Sequence, residues 1–135
     1  MCVGASALQG AFVEHQAILS RIARVKSRSA DGKSCSPTAV RTVLVRTVGE
    51  LAECDALIVP GGESTTIALL ARLRGRLEPL REFARSKPMW GTCAGAILLS
   101  SGGVVGTKKS GQEVIGGIDV CVERNGWGSQ VSILH

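Results

Sequence analysis

The chain has 135 residues, 44% hydrophobic and 20% charged, with a net charge of +5. These are ordinary values for one globular domain, and two Phe, two Trp and no Tyr leave an aliphatic core. With no signal-peptide pattern and no apolar run near the roughly 18 residues of a membrane span, a soluble protein of the cytoplasm is expected.

Met1 to Ala7 is small and apolar and predicts a first buried strand. Leu8-Gln9-Gly10 breaks it, and Ala11 to Arg24 has helical spacing, with Phe12, Ile18, Leu19 and Ile22 expected to share a face. Lys26 to Thr38 turns polar, so residues 26–38 are expected to form a surface insertion. Between Arg21 and Arg46 seven basic residues meet one acid, a segment charge of +6 that leaves the remainder at −1. The run has no interleaved aromatics and no binding motif, so it reads as a solvated loop rather than a nucleic-acid site.

Val40 to Val48, rich in Val and Thr, predicts a second strand, and Asp55 to Pro60 a third, covered on both faces. Helices are expected over Ile67–Leu73 and Leu77–Ser86. A fourth strand, Lys87 to Trp90, runs into Gly91-Thr92-Cys93-Ala94-Gly95, and a helix follows to about Ser100. Ser101 to Gln112 is loop, Val114 to Glu123 resumes strand character, Arg124 to Gly128 is a turn and Gln130 to Leu134 a further strand. Strands alternating with helices predict an α/β fold: three layers, a mainly parallel sheet flanked by helices.

Gly91 to Gly95 has the form Gly-x-nucleophile-x-Gly with a thiol in place of the hydroxyl. Glycines flank the nucleophile because strand and helix approach too closely there for a Cβ. A helix opening behind a cysteine favours its thiolate, the reactive form. The same text also fits a buried structural cysteine in a strand-to-helix turn. The other cysteines (Cys2, Cys35, Cys54, Cys121) are widely spaced with no C-x-x-C pair, which excludes a disulfide framework and a zinc ligand set. No metal and no cofactor are expected.

A second turn, Pro60 to Thr66, also follows a strand and opens a helix, so both turns belong at the carboxyl edge of the sheet, where such folds bind ligands. If their strands are near neighbours, the Gly61-Gly62 backbone faces Cys93. Its N–H and that of Ala94 are then candidates to receive an oxyanion. The plainer reading of this turn is a helix cap built by Ser64 or Thr65, with Glu63 favourable near the positive end. A phosphate loop is excluded by the missing lysine and spacing.

These stretches together resemble the glutaminase subunit of pyridoxal 5′-phosphate synthase, a class I (triad) glutamine amidotransferase. The resemblance lies in Ala7 to Phe12 with Glu14-His15, Leu57 to Thr66, Pro79 to Phe83, Lys87 to Gly95, and Val122 to Asn125 through Val131. It implies a flavodoxin-like fold and a reaction that releases ammonia from the glutamine side chain, with Cys93 as nucleophile and Gly62 and Ala94 as oxyanion donors. Gly62, Glu63 and Ser64 match the glutamine-binding turn and Arg124 a second substrate position. A guanidinium suits a carboxylate and an acid suits an ammonium; which end each meets stays open. Gln9 matches the region that contacts the partner, a (β/α)8-barrel synthase subunit that takes up the ammonia to build pyridoxal phosphate. His15, on the helix after Gln9, fits a surface position as well as a partner contact.

The family's catalytic histidine and glutamate lie in a late His-x-Glu run that these residues do not contain, and neither His135 nor His15 fits that role. Residues 1–135 therefore read as a single, C-terminally shortened amidotransferase domain, with apolar surface exposed and little glutamine turnover of its own. Two other readings are weighed: a non-catalytic, partner-binding form of the same subunit, and a cysteine-elbow peptidase or deglycase. The last gives no reason for the Pro60 to Thr66 run.

Overall fold

The computed structural model describes residues 1–24, 40–106 and 111–123. The expected insertion at 26–38, Arg124 with its turn, the strand at 130–134 and His135 lie outside the described residues. So does Cys35.

Four parallel strands form the main sheet: β1 (Cys2–Ser6), β2 (Arg41–Val45), β3 (Ala56–Val59) and β4 (Met89–Gly91), in the order β2-β1-β3-β4. The chain leaves β1 toward β2 on one side and returns to lay β3 on the other. The order reverses at that point, the place where open α/β sheets bind ligands beyond the carboxyl ends of their strands. Helix α1 (Phe12–Arg24) links β1 to β2, α3 (Ser64–Leu73) and α4 (Leu77–Ser86) link β3 to β4, and α5 (Ala94–Leu99) follows β4.

Alternation along the strands assigns the two faces. Gly4, Leu57 and Met89 stand in one cross-strand row; Ala5, Ile58 and Trp90 stand in the next, on the opposite face. Leu57 and Val59 join the main core with Ile67, Ala71, Leu80, Phe83, Leu98 and Leu99 of α3 to α5. Helix α1 packs beside β1 and β2. Its inward residues are half-buried: Phe12, His15, Gln16, Leu19 and Ser20, whose Oγ lies 3.2 Å from Thr42 Oγ1. The expected shared face is therefore corrected. Ile18 and Ile22 are 53% and 59% exposed, because six residues from Phe12 to Ile18 turn the helix through about 240°.

Two strand expectations also change. Val48 does not end β2; it opens a short helix, α2 (Val48–Ala52), behind a capping box. Thr47 Oγ1 accepts from Glu50 N at 3.1 Å, and Glu50 Oε2 accepts from Thr47 N at 2.8 Å. Val114 to Glu123 is mostly irregular, since Gly116 and Gly117 take φ of 82° and 119° and break any ladder. Only Val122–Glu123 (β6) is strand there, paired parallel with β5 (Val104–Val105).

Candidate active site

The turn between β4 and α5 has the strained geometry of a nucleophile elbow. Cys93 takes φ 51°, ψ −115°, and among the described residues no other non-glycine has positive φ. Such a conformation persists only where the surroundings impose it. They do so through the flanking glycines. A Cβ on Gly95 would overlap Val59 O and stand 2.7 Å from Val59 C, and one on Gly91 would stand 2.6 Å from Ala96 N. Thr92 N donates to Val59 O at 3.1 Å and Gly95 N to Thr92 O at 2.9 Å, which ties the turn to the end of β3. The Cys93 side chain emerges exposed, so the buried structural alternative is excluded.

The two turns do meet. A Cβ on Gly61 would lie 3.2 Å from Cys93 Cβ and 3.8 Å from its Sγ. Among the described residues neither Gly62 N–H nor Ala94 N–H has a hydrogen-bond partner. The loop after β1 packs against the glycine turn. Ala11 N donates to Gly61 O at 3.2 Å, and Gln9 Oε1 accepts from Glu63 N at 3.2 Å. Gln9 is thus in contact with the glutamine-turn candidate inside this chain.

Glu63, not Ser64 or Thr65, caps α3. Its carboxylate accepts from Thr66 N at 2.7 Å, Thr65 N at 3.2 Å, Thr66 Oγ1 at 2.8 Å and Thr65 Oγ1. Those hydroxyls, with the two N–H groups, pull its pKa down to about 2. Ser64 is buried, and its Oγ donates to Gln112 Oε1 at 3.2 Å. Its side chain is turned into the protein, so any contact with a ligand falls to its backbone.

Sequence reasoning leaves the place of His15 open. Its Nε2 lies 3.0 Å from Thr92 Oγ1, one residue from the thiol, and its ring stands 6.2 Å from that of Trp90. The thiols of Cys2 and Cys54 are buried; burial, with Cys2 adjacent, pushes Cys54 up to about 11. Both are shielded from reagents, whereas Cys93 is exposed. Among the described residues no group of three or more His, Cys, Asp or Glu could hold a metal, and no helix is long and apolar enough to cross a membrane.

Here a parallel α/β sheet carries a cysteine elbow facing a glycine turn at its carboxyl edge, and a solved structure described as a glutamine amidotransferase shares the fold. That structure is 39% identical with a TM-score of 0.70, covering 96% of this chain and 59% of its own. The SNO glutamine amidotransferase family matches residues 5–134, and the chain belongs to that family. A relative from Arabidopsis thaliana, named a probable pyridoxal 5′-phosphate synthase subunit, is 44% identical over 97% of this chain and 45% of its own length. Another, from Streptomyces griseus, named a pyridoxal 5′-phosphate synthase subunit, is 45% identical over 95% of this chain and 56% of its own. The chain spans about half the length of these curated relatives.

Proposed function

We propose that this chain carries the nucleophile and oxyanion portion of the glutaminase subunit of pyridoxal 5′-phosphate synthase. The Cys93 thiolate attacks the side-chain carbonyl carbon of L-glutamine. The oxyanion so formed takes hydrogen bonds from the Gly62 and Ala94 N–H groups. The C–N bond then breaks, the nitrogen leaves with a proton as ammonia, and water hydrolyses the glutamyl thioester to glutamate. Gly62, Glu63 and Ser64 line the substrate, with Arg124 as the second contact. The ammonia passes to a (β/α)8-barrel synthase subunit, and Gln9 lies where docking of that subunit is felt. The reduced thiol pool of the cytoplasm suits such a nucleophile.

One observation supports this reading above the others: a Cβ placed on Gly61 would lie 3.8 Å from the Cys93 sulfur, so the glycine backbone faces the thiol, while the N–H groups of the next residue in each turn are unoccupied among the described residues. Acyl transfer also needs a proton acceptor. His15 is the only imidazole among the described residues, and its Nε2 meets Thr92 rather than the thiol. On this reading the acceptor comes from outside the described residues.

The test is intact-mass measurement after mixing the chain with glutamine and the barrel synthase subunit. A glutamyl adduct on the Cys93 peptide, absent in Cys93→Ser, is the expected result. Firm binding to the synthase with no adduct and no ammonia would overturn it in favour of a non-catalytic partner.

A further inference from the structure

We propose that His15 is a positioning residue for Cys93, holding the elbow through the Thr92 hydroxyl. The strained backbone at Cys93 is gripped by main-chain bonds on two sides: Thr92 N to Val59 O at 3.1 Å, and Gly95 N to Thr92 O at 2.9 Å. Both act on peptide groups, and neither fixes the Thr92 side chain. His15 supplies that hold from a helix 77 residues away in sequence, its Nε2 3.0 Å from Thr92 Oγ1. A neutral imidazole nitrogen pairs with a hydroxyl as donor or as acceptor, so the bond forms with either tautomer. The Trp90 ring stands beside the imidazole, tilted 31° to it at 6.2 Å.

The residue just before the helix that carries His15 also touches the opposite turn, since Ala11 N donates to Gly61 O at 3.2 Å. The segment from Ala11 into α1 therefore spans the site, bonding to the glycine turn through Ala11 and to the elbow through His15 four residues later. Loss of the His15 bond leaves the thiol attached to a strained turn with one restraint fewer. The turn then relaxes toward conformations that withdraw the sulfur from the Gly61 backbone.

The inference rests on Cys93 being the nucleophile, but its readout is thiol reactivity, which needs no glutamine. The rate of Cys93 alkylation by iodoacetamide is measured by peptide mass spectrometry on the whole chain, with exposed Cys121 as internal reference. His15→Leu and Thr92→Val should each slow Cys93 about five- to tenfold, the net worth of one hydrogen bond. The double variant should be no slower than either, and His15→Gln and Thr92→Ser, which can keep the bond, should stay within about twofold of the parent. Parental or faster rates in the Leu and Val variants, or effects that multiply, would overturn the proposal. Should His15→Leu lose its circular dichroism signal, the comparison of Thr92→Val with Thr92→Ser decides the same question. A chain that follows this pattern with iodoacetamide yet ignores a glutamine-analogue electrophile would contradict the glutaminase reading and leave His15 in its role.

Discussion

Replacing Gly95 by alanine puts a methyl group between the start of α5 and the end of β3. The new Cβ would overlap Val59 O, stand 2.7 Å from Val59 C and 3.1 Å from Pro60 O. Carbon atoms rest at about 3.5–4.0 Å, so strand and helix must part by roughly 1 Å. Every atom in the way is backbone, and no side chain can rotate aside. Overpacking of this kind costs about 1–3 kcal/mol, against which alanine's helix preference returns at most about 1 kcal/mol. Gly49→Ala in α2 is the control, because its nearest neighbour is Thr47 Oγ1 at an easy 3.9 Å and only the propensity gain remains. At about 3–5 °C per kcal/mol for a chain of this size, Gly95→Ala should melt several degrees below the parent and Gly49→Ala slightly above it. Alkylation of Cys93 should slow in the first and not in the second. A Gly95→Ala protein that melts at or above the parent with an unchanged Cys93 would refute the crowded-elbow argument.

Three further outcomes are expected. Glu63→Gln should weaken the α3 cap by about 1 kcal/mol at neutral pH. Glu63 has its folded pKa held at about 2 against about 4.3 unfolded, so its stabilisation is complete above about pH 5 and lost as pH falls toward 2. The stability gap between parent and variant, read from urea melts, should close over that window; a pH-independent gap would contradict the capping geometry. Thr47→Ala removes one half of the capping box of α2 and should cost about 1 kcal/mol in the same melts, while an unchanged midpoint would count against it. Mild alkylation of the folded chain should modify Cys93 and Cys121 and spare Cys2 and Cys54 until urea is added; early labelling of Cys54 would contradict its burial.

The elements that place Cys93 are readable because each rests on a local rule. The apolar run Ala56 to Val59, the helix from Leu77 to Ser86 and the paired glycines around Cys93 are chosen by propensity and sterics within a few residues. The Thr47-x-x-Glu50 signature is just as local, but the Val and Thr content around it masks it. Glu63 as the cap is hidden for a different reason. Two hydroxyl-bearing neighbours look like better caps, yet both Thr65 and Thr66 donate to the glutamate and Ser64 turns inward. The grouping of Ile18 and Ile22 with Phe12 fails on helix angle, and the strand across Gly116-Gly117 fails on backbone conformation. The approach of His15 to Thr92 depends on the strand order, because only β3 lying between β1 and β4 brings those loops together. No spacing within one segment encodes that order.

On the proposed reading one thiol, and no other, is set up to react with a glutamine-shaped electrophile. A diazo-ketone analogue of glutamine, applied to the folded chain and followed by peptide mapping, tests it directly. Modification is expected at Cys93 alone, slowed by free glutamine and absent in Cys93→Ser. Equal labelling of the other cysteines, or none at Cys93, would contradict it.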